Sequence, residues 1–260
     1  MPADDTGSDA DWLNGRIPTP STVAIDRMET SLHRQLKQTY ADGTAPVEVP
    51  LDGYRIDVVS GDELVEIQHG SLAAIRDKVK RLLVKHRVRV VKPIVVRKHL
   101  IKQDAPGGRV IDRRMSPKRG SILDLFDELI YFTRVFPHRN LALEVPLVEI
   151  EEWRYPGHGR RRRHRASDHQ IEDQKLLTIG HIHCFHTAVD LIGLIPRKLP
   201  SPFHTLHLAG VLNVERRFAQ RIAYCFRQMG ATRELGKQGN TRLYELVRSR
   251  PRQERARAAC

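Results

Sequence analysis

Cysteine is scarce in this sequence. Cys184, Cys225 and Cys260 are its three, widely separated and without a CxxC pair, so neither a disulfide framework nor a zinc ribbon is suggested and a reducing compartment fits. No stretch approaches the roughly 18–20 consecutive apolar residues of a membrane helix. Met1 to Asp11 is acidic, where a signal peptide opens with basic residues; the expected location is therefore cytoplasmic. Internal repeats are missing, and so is an aromatic-rich strand of the RNP kind, which removes the main support for RNA readout by stacking. Positive charge, by contrast, is abundant: 44 Lys and Arg against 31 Asp and Glu leave a net +13 in 260 residues. Such a surface attracts polyanions, nucleic acid or an acidic membrane, by long-range fields and counterion release. The length allows one or two domains.

Residues 1–22 are rich in Asp, Gly, Ser, Thr and Pro without periodicity and read as a disordered leader. Ile25, Met28, Leu32, Leu36 and Tyr40 then recur at helical steps, predicting a helix over 23–40. Three short strands are expected at 47–51, 54–59 and 64–68, separated by tight turns, followed by a helix carrying Leu72, Ile75, Val79, Leu82 and Leu83 and a long strand over 88–101 despite Pro93. A second αβ passage has a helix over 122–136, a strand over 141–153 and a return strand at 174–179. The Arg160–Arg163 run between them is a solvated hairpin tip or a phosphate-binding finger. Helical pattern resumes over 185–195, and Pro196, Pro200 and Pro202 mark a linker or a tight crossing. The expected organisation is a core over 23–180, a second domain over 181–247 and a basic disordered tail over 248–260.

The segment with chemistry in it runs from Tyr54 to Gln68. If Ser60 to Glu63 close an antiparallel hairpin, Val59 faces Leu64, and counting back places Asp57 opposite Glu66. Gln68, two residues further, shares the face of Glu66, while Ile56, Val58, Val65 and Ile67 take the other. Facing carboxylates repel and weaken a sheet. A divalent cation removes the conflict, since Mg²⁺ takes one or two carboxylates plus water and phosphate oxygens.

With these residues and this order of elements, the chain resembles the PD-(D/E)xK nuclease superfamily over about residues 23 to 103. The resemblance implies an α/β fold with a restriction-endonuclease-like αβββαβ core. It also implies Mg²⁺ or Mn²⁺ held by Asp57 and Glu66, a supporting acid on the first helix at Glu29, and Gln68 at the position of the motif's lysine. Glutamine can position water by hydrogen bonding but supplies no charge. Lys78, on the flank of the following helix, could supply it, although a surface lysine is the simpler reading; Glu29 reads equally as a solvated helix residue. The implied reaction is in-line hydrolysis of a phosphodiester by metal-activated water.

From Thr205 to Val247 a short helix, a turn at Leu212-Asn213, a long helix with Phe218, Ile222, Cys225, Phe226 and Met229 inward, and a hairpin around Gly236 to Asn240 form a winged helix-turn-helix pattern. Arg216, Arg217, Gln220 and Arg221 on the long helix and Lys237 and Arg242 on the wing are the expected DNA contacts. His181, His183, Cys184 and His186 lack a second pair at zinc-finger spacing and read as packing or surface residues. Two functions follow: a metal-dependent DNA endonuclease, or a catalytically inactive DNA-binding regulator or scaffold on the same core, which the Gln68 departure favours. DNA is the expected partner and a membrane is not. The resemblance also admits a homodimer, because cutting two strands needs two sites.

Overall fold

The computed structural model describes residues 29–157 and 169–247. The leader, the start of the first expected helix, the Arg160–Arg163 run and the basic tail lie outside the described residues. Helix α1 is Ser31–Ala41, opened by the Thr30 hydroxyl, which accepts from the His33 amide, and closed by Asp42 in the left-handed region. Glu29 therefore precedes the cap and is not a helix residue as expected.

Strands β1 (Val47–Leu51), β2 (Tyr54–Ser60) and β3 (Glu63–Ile67) form the expected meander. Asp52 and Gly53 both have positive φ, the geometry that closes a two-residue hairpin with the right twist. A 3-10 turn, Leu72–Ile75, leads into α2 (Arg76–Leu82), and β4 (Arg87–Val91) then lies parallel to β3. β5 (Ile94–Gln103) continues β4: both lie parallel to β7 (Leu141–Pro156), and Val91↔Glu144 and Ile94↔Leu147 hold one register across Lys92-Pro93. The expected long strand is thus present with a break where proline lacks its amide donor. β6 (Val110–Met115) pairs with β5, and β8 (His169–Phe185) pairs with β7 from Pro156↔His169 to Leu143↔Phe185. The result is one mixed eight-stranded sheet.

Its two faces carry separate apolar clusters. Leu32 and Leu36 of α1 cover Val58, Val65, Ile67, Val91, Val148 and Ile150. On the other side Ile56, Leu64, Val88 and Val90 pack with α2 and with α3 (Leu125–Leu129), which is much shorter than the expected 122–136 helix. The remaining apolar residues of that stretch, Phe132, Val135 and Phe136, are buried by turns. Beyond β8 come α4 (Ala188–Ile192), α5 (Thr205–Leu212), α6 (Arg216–Gln228) and the hairpin β9 (Thr232–Gln238)–β10 (Thr241–Leu246). The position near 180 expected for a boundary falls inside β8, which runs on to Phe185. The C-terminal elements also share the α/β core: the rings of Phe126 and Phe226 meet edge to face at 5.4 Å, and Ile222, Leu208 and Phe203 belong to the α2–α3 cluster. No helix among the described residues is long and apolar enough to cross a membrane.

Candidate active site

The β2–β3 register is the one that places Asp57 opposite Glu66: Val58 faces Val65, Val59 faces Leu64 and Ser60 faces Glu63. Backbone pairing stops there. The Ile67 amide donates instead to Asp57 Oδ2 at 2.8 Å, so a carboxylate takes the place of a ladder carbonyl. Side-chain alternation breaks at the same point, since Ile56 packs in the α2–α3 cluster and Val58 under α1. Ile56 is thus not on the face of Val58, Val65 and Ile67 as expected. Glu48, across from Asp57 on β1 and between Val47↔Val58 and Val49↔Ile56, has φ +56, so both strands distort at this pair. The sheet splits at the first candidate acid.

Around this split acidic and basic side chains alternate. Asp57 Oδ1 is 3.3 Å from His33 Nε2, which is 3.7 Å from Glu29 Oε1. Lys37 bridges Glu29 and Glu48, with Nζ 2.5 Å from Glu48 Oε1. Burial pushes the Asp57 carboxyl up, but the His33 and Ile67 hydrogen bonds outweigh it, with the nearby His33 and Lys78 charges adding to them, and hold it below the usual range. Glu66 is buried, with 3% of its surface exposed. Its Oε2 accepts from Lys78 Nζ at 2.7 Å, while Oε1 has no partner. Burial raises Glu66 to about 7; Lys78 opposes the shift and the Asp57 charge adds to it. Lys78, which also donates to the Arg55 carbonyl, is therefore an ion-paired component of the site. Gln68 turns elsewhere: its amide donates to the Ser71 carbonyl at 2.9 Å, at the start of the α2 turn.

His33 and Lys37 escape a reading of the sequence that follows only the apolar stripe. Their signal is spacing: Glu29, His33 and Lys37 stand four residues apart, so the two helical residues share one face and Glu29 lies just before it. Among the described residues no group of three or more His, Cys, Asp or Glu side chains is placed to hold a metal ion. The donor set is two carboxylates, which suits Mg²⁺ completed by water and phosphate oxygens. The orphaned, buried Oε1 of Glu66 fits such an ion, and both oxygens of Asp57 are already engaged by His33 and Ile67.

The expected DNA contacts divide. Arg216, Gln220 and Arg242 line one cleft of about 290 Å³ between α6 and the β9–β10 hairpin, together with Tyr224, Arg227 and Asn240. Arg217 and Lys237 are exposed. Arg221, partly exposed, pairs with the half-exposed Asp127 of α3 and lies over the Phe218 ring. Arg242 is tethered to Glu234 at 3.2 Å.

These elements define an α/β protein with a mixed central sheet and a polar, charge-paired split between β2 and β3. The chain belongs to the family described as Domain of unknown function (DUF8091), whose model matches residues 30–186, from the cap of α1 to just past β8. It is also similar to an uncharacterized protein of Treponema pallidum (strain Nichols), with 32% identity over 218 residues, 83% of this chain and 84% of the relative. No solved structure matches. Asp57, Glu66, His33, Lys37, Glu48 and Lys78 lie within the family's span, Glu29 stands one residue before it, and α4 to β10 lie beyond it.

Proposed function

We propose that this chain is a metal-dependent DNA endonuclease of the PD-(D/E)xK type, hydrolysing phosphodiester bonds at the β2–β3 split. The observation that carries the reading is the buried Glu66 Oε1, unpartnered and beside the Lys78 ammonium, at the point where Asp57 interrupts the ladder. Leaving a buried carboxylate oxygen unsatisfied costs about 1–3 kcal/mol or more, a cost that a ligand can offset. Glu66 and Asp57 would hold Mg²⁺ or Mn²⁺, which on binding supplies activation of the attacking water and stabilisation of the leaving oxygen. The chain's own contributions are distinct. Lys78 brings positive charge to developing negative charge at phosphorus, the part that Gln68 cannot play. His33 orients Asp57, and Glu66 holds a proton near neutrality until a cation replaces it. In this reading α5, α6 and the β9–β10 hairpin are a winged helix, with Arg216, Arg217 and Gln220 toward DNA and Lys237 and Arg242 on the wing against phosphates.

The test is cleavage of supercoiled and branched DNA with Mg²⁺ or Mn²⁺ against EDTA, for wild type, Asp57→Ala and Glu66→Ala, with binding measured in parallel. Metal-dependent nicking lost in both variants, with binding retained, supports the nuclease. A second reading, a DNA-binding scaffold without catalysis, is favoured by the engagement of both Asp57 oxygens and of the Gln68 amide. Binding without cleavage on any substrate would establish it.

A further inference from the structure

On β5, Lys98, Leu100 and Lys102 alternate onto one face. Leu100 lies opposite Arg114 of β6 and Glu152 of β7, and Lys102 lies opposite Asp112 and Arg154. Glu152 is fully buried and gathers Lys98, Arg154 and the Gln174 amide around itself, so two of these cations are held in place. Lys102 and Lys118 are exposed and form no ion pair among the described residues. Two clefts, of about 250 and 280 Å³, open on this face and share Arg154 as a wall; Lys98 and Lys118 line the first, Lys102 and Arg114 the second. His69 directly follows Gln68, and its carbonyl accepts from Lys92 Nζ at 2.9 Å where β4 passes into β5. Burial lowers its imidazole to about 4, and the nearby Lys92, Lys98 and His33 charges push the same way.

We propose that this β5–β6–β7 face is a track for a nucleic-acid backbone, running from the β2–β3 split outward along the β7–β8 hairpin and separate from the α6–wing cleft. Lys98 to Lys102 is four strand steps, or about 13 Å, the axial length of about four base pairs. Guanidinium and ammonium groups lining clefts on a polar sheet face, with Arg114 held 3.9 Å from Asp112, match phosphate oxygens, whereas an acyl surface would need an apolar face. The track rests on the DNA reading above but not on hydrolysis.

The experiment is binding of fluorescent duplex and single-stranded DNA by the full chain in EDTA over a range of salt. Wild type is compared with the triple variant Lys102→Gln/Arg114→Gln/Lys118→Gln and with Arg216→Gln/Lys237→Gln. Each lost phosphate contact lowers the slope of log K against log salt by about 0.9 on duplex. The triple variant is therefore expected to lose about 2 to 3 in slope and roughly 60- to 500-fold in affinity near 0.1 M salt, with unchanged thermal stability, because the three side chains are exposed. A triple variant that binds with unchanged slope and affinity overturns the track, even if the α6–wing variant is impaired. So does a triple variant that loses only binding to vesicles of anionic lipid. Wild type that binds but does not cleave with Mg²⁺ refutes the nuclease and leaves the track standing. Wild type that binds no DNA overturns both.

Discussion

Glu66→Gln separates the chemistry of the site from its contribution to stability. Burial moves the Glu66 carboxyl from 4.5 to about 7, a displacement equivalent to about 3 kcal/mol. The sign follows from proton counts. Between these values the folded chain keeps a proton that the unfolded chain has released, so stability falls as pH rises through the window and levels off above it. Glutamine keeps the shape without the titration. The stability gap between the variant and wild type should therefore widen in the variant's favour by about 3 kcal/mol from pH 4 to pH 8, or about 6–12 °C in melting temperature for a chain of this size. Urea or thermal unfolding across pH, without divalent cations, reads it directly. Mg²⁺ added at pH 8 should then raise the melting temperature of wild type only. A gap that does not change with pH would refute the reasoning, because it would mean that Glu66 titrates as a solvated acid.

Lys78→Met should push Glu66 still higher and move the pH profile of cleavage toward alkaline values, while DNA affinity in EDTA stays within about twofold; an unmoved profile would show that Lys78 only packs. Lys92 is buried, with its ammonium on the carbonyls of His69, at 2.9 Å, and Gly70. Lys92→Met strands both acceptors and should cost about 2–4 kcal/mol in denaturant unfolding, with a loss under about 0.5 kcal/mol counting against that role. Phe226→Ala should cost about 3–5 kcal/mol and shift a single transition, because Phe226 and Phe126 lie in one core; two resolved transitions would contradict that continuity.

The meander was legible because its turns declare themselves: Asp52-Gly53 and Gly61-Asp62 fix two-residue loops, and with them the register that sets Asp57 against Glu66. The C-terminal hairpin and the inward face of α6 were legible for the same reasons of turn chemistry and period. Two features were not. The break of alternation at Asp57 arises because a side chain replaces a backbone acceptor, which no period of two foresees. The short α3 keeps its Phe and Leu residues buried through turns, so an apolar pattern of helical spacing overstates its length. The site shows a similar mixture. The two acids stand where strand counting puts them, but Gln68 turns to Ser71, and His33 joins from a face of α1 that the apolar stripe does not mark.

The partner-switching of β7 has a consequence for synthesis. This strand takes β4 on one edge at its start, β5 further along, and β8 throughout the other edge. The apolar stripe of α1 meets β7 at Val148 and Ile150, and the helix start is tied to Asp173 by the Ser31 amide at 2.9 Å and by its hydroxyl. At about 5–20 residues per second, roughly 6 to 23 s pass between the emergence of Leu36 and that of Ile150. Throughout that time the first helix and the meander present apolar surface with no permanent cover. Parallel pairings across such separations form late, so the nascent N-terminal half is the part of this molecule that depends most on being shielded until its central strand arrives.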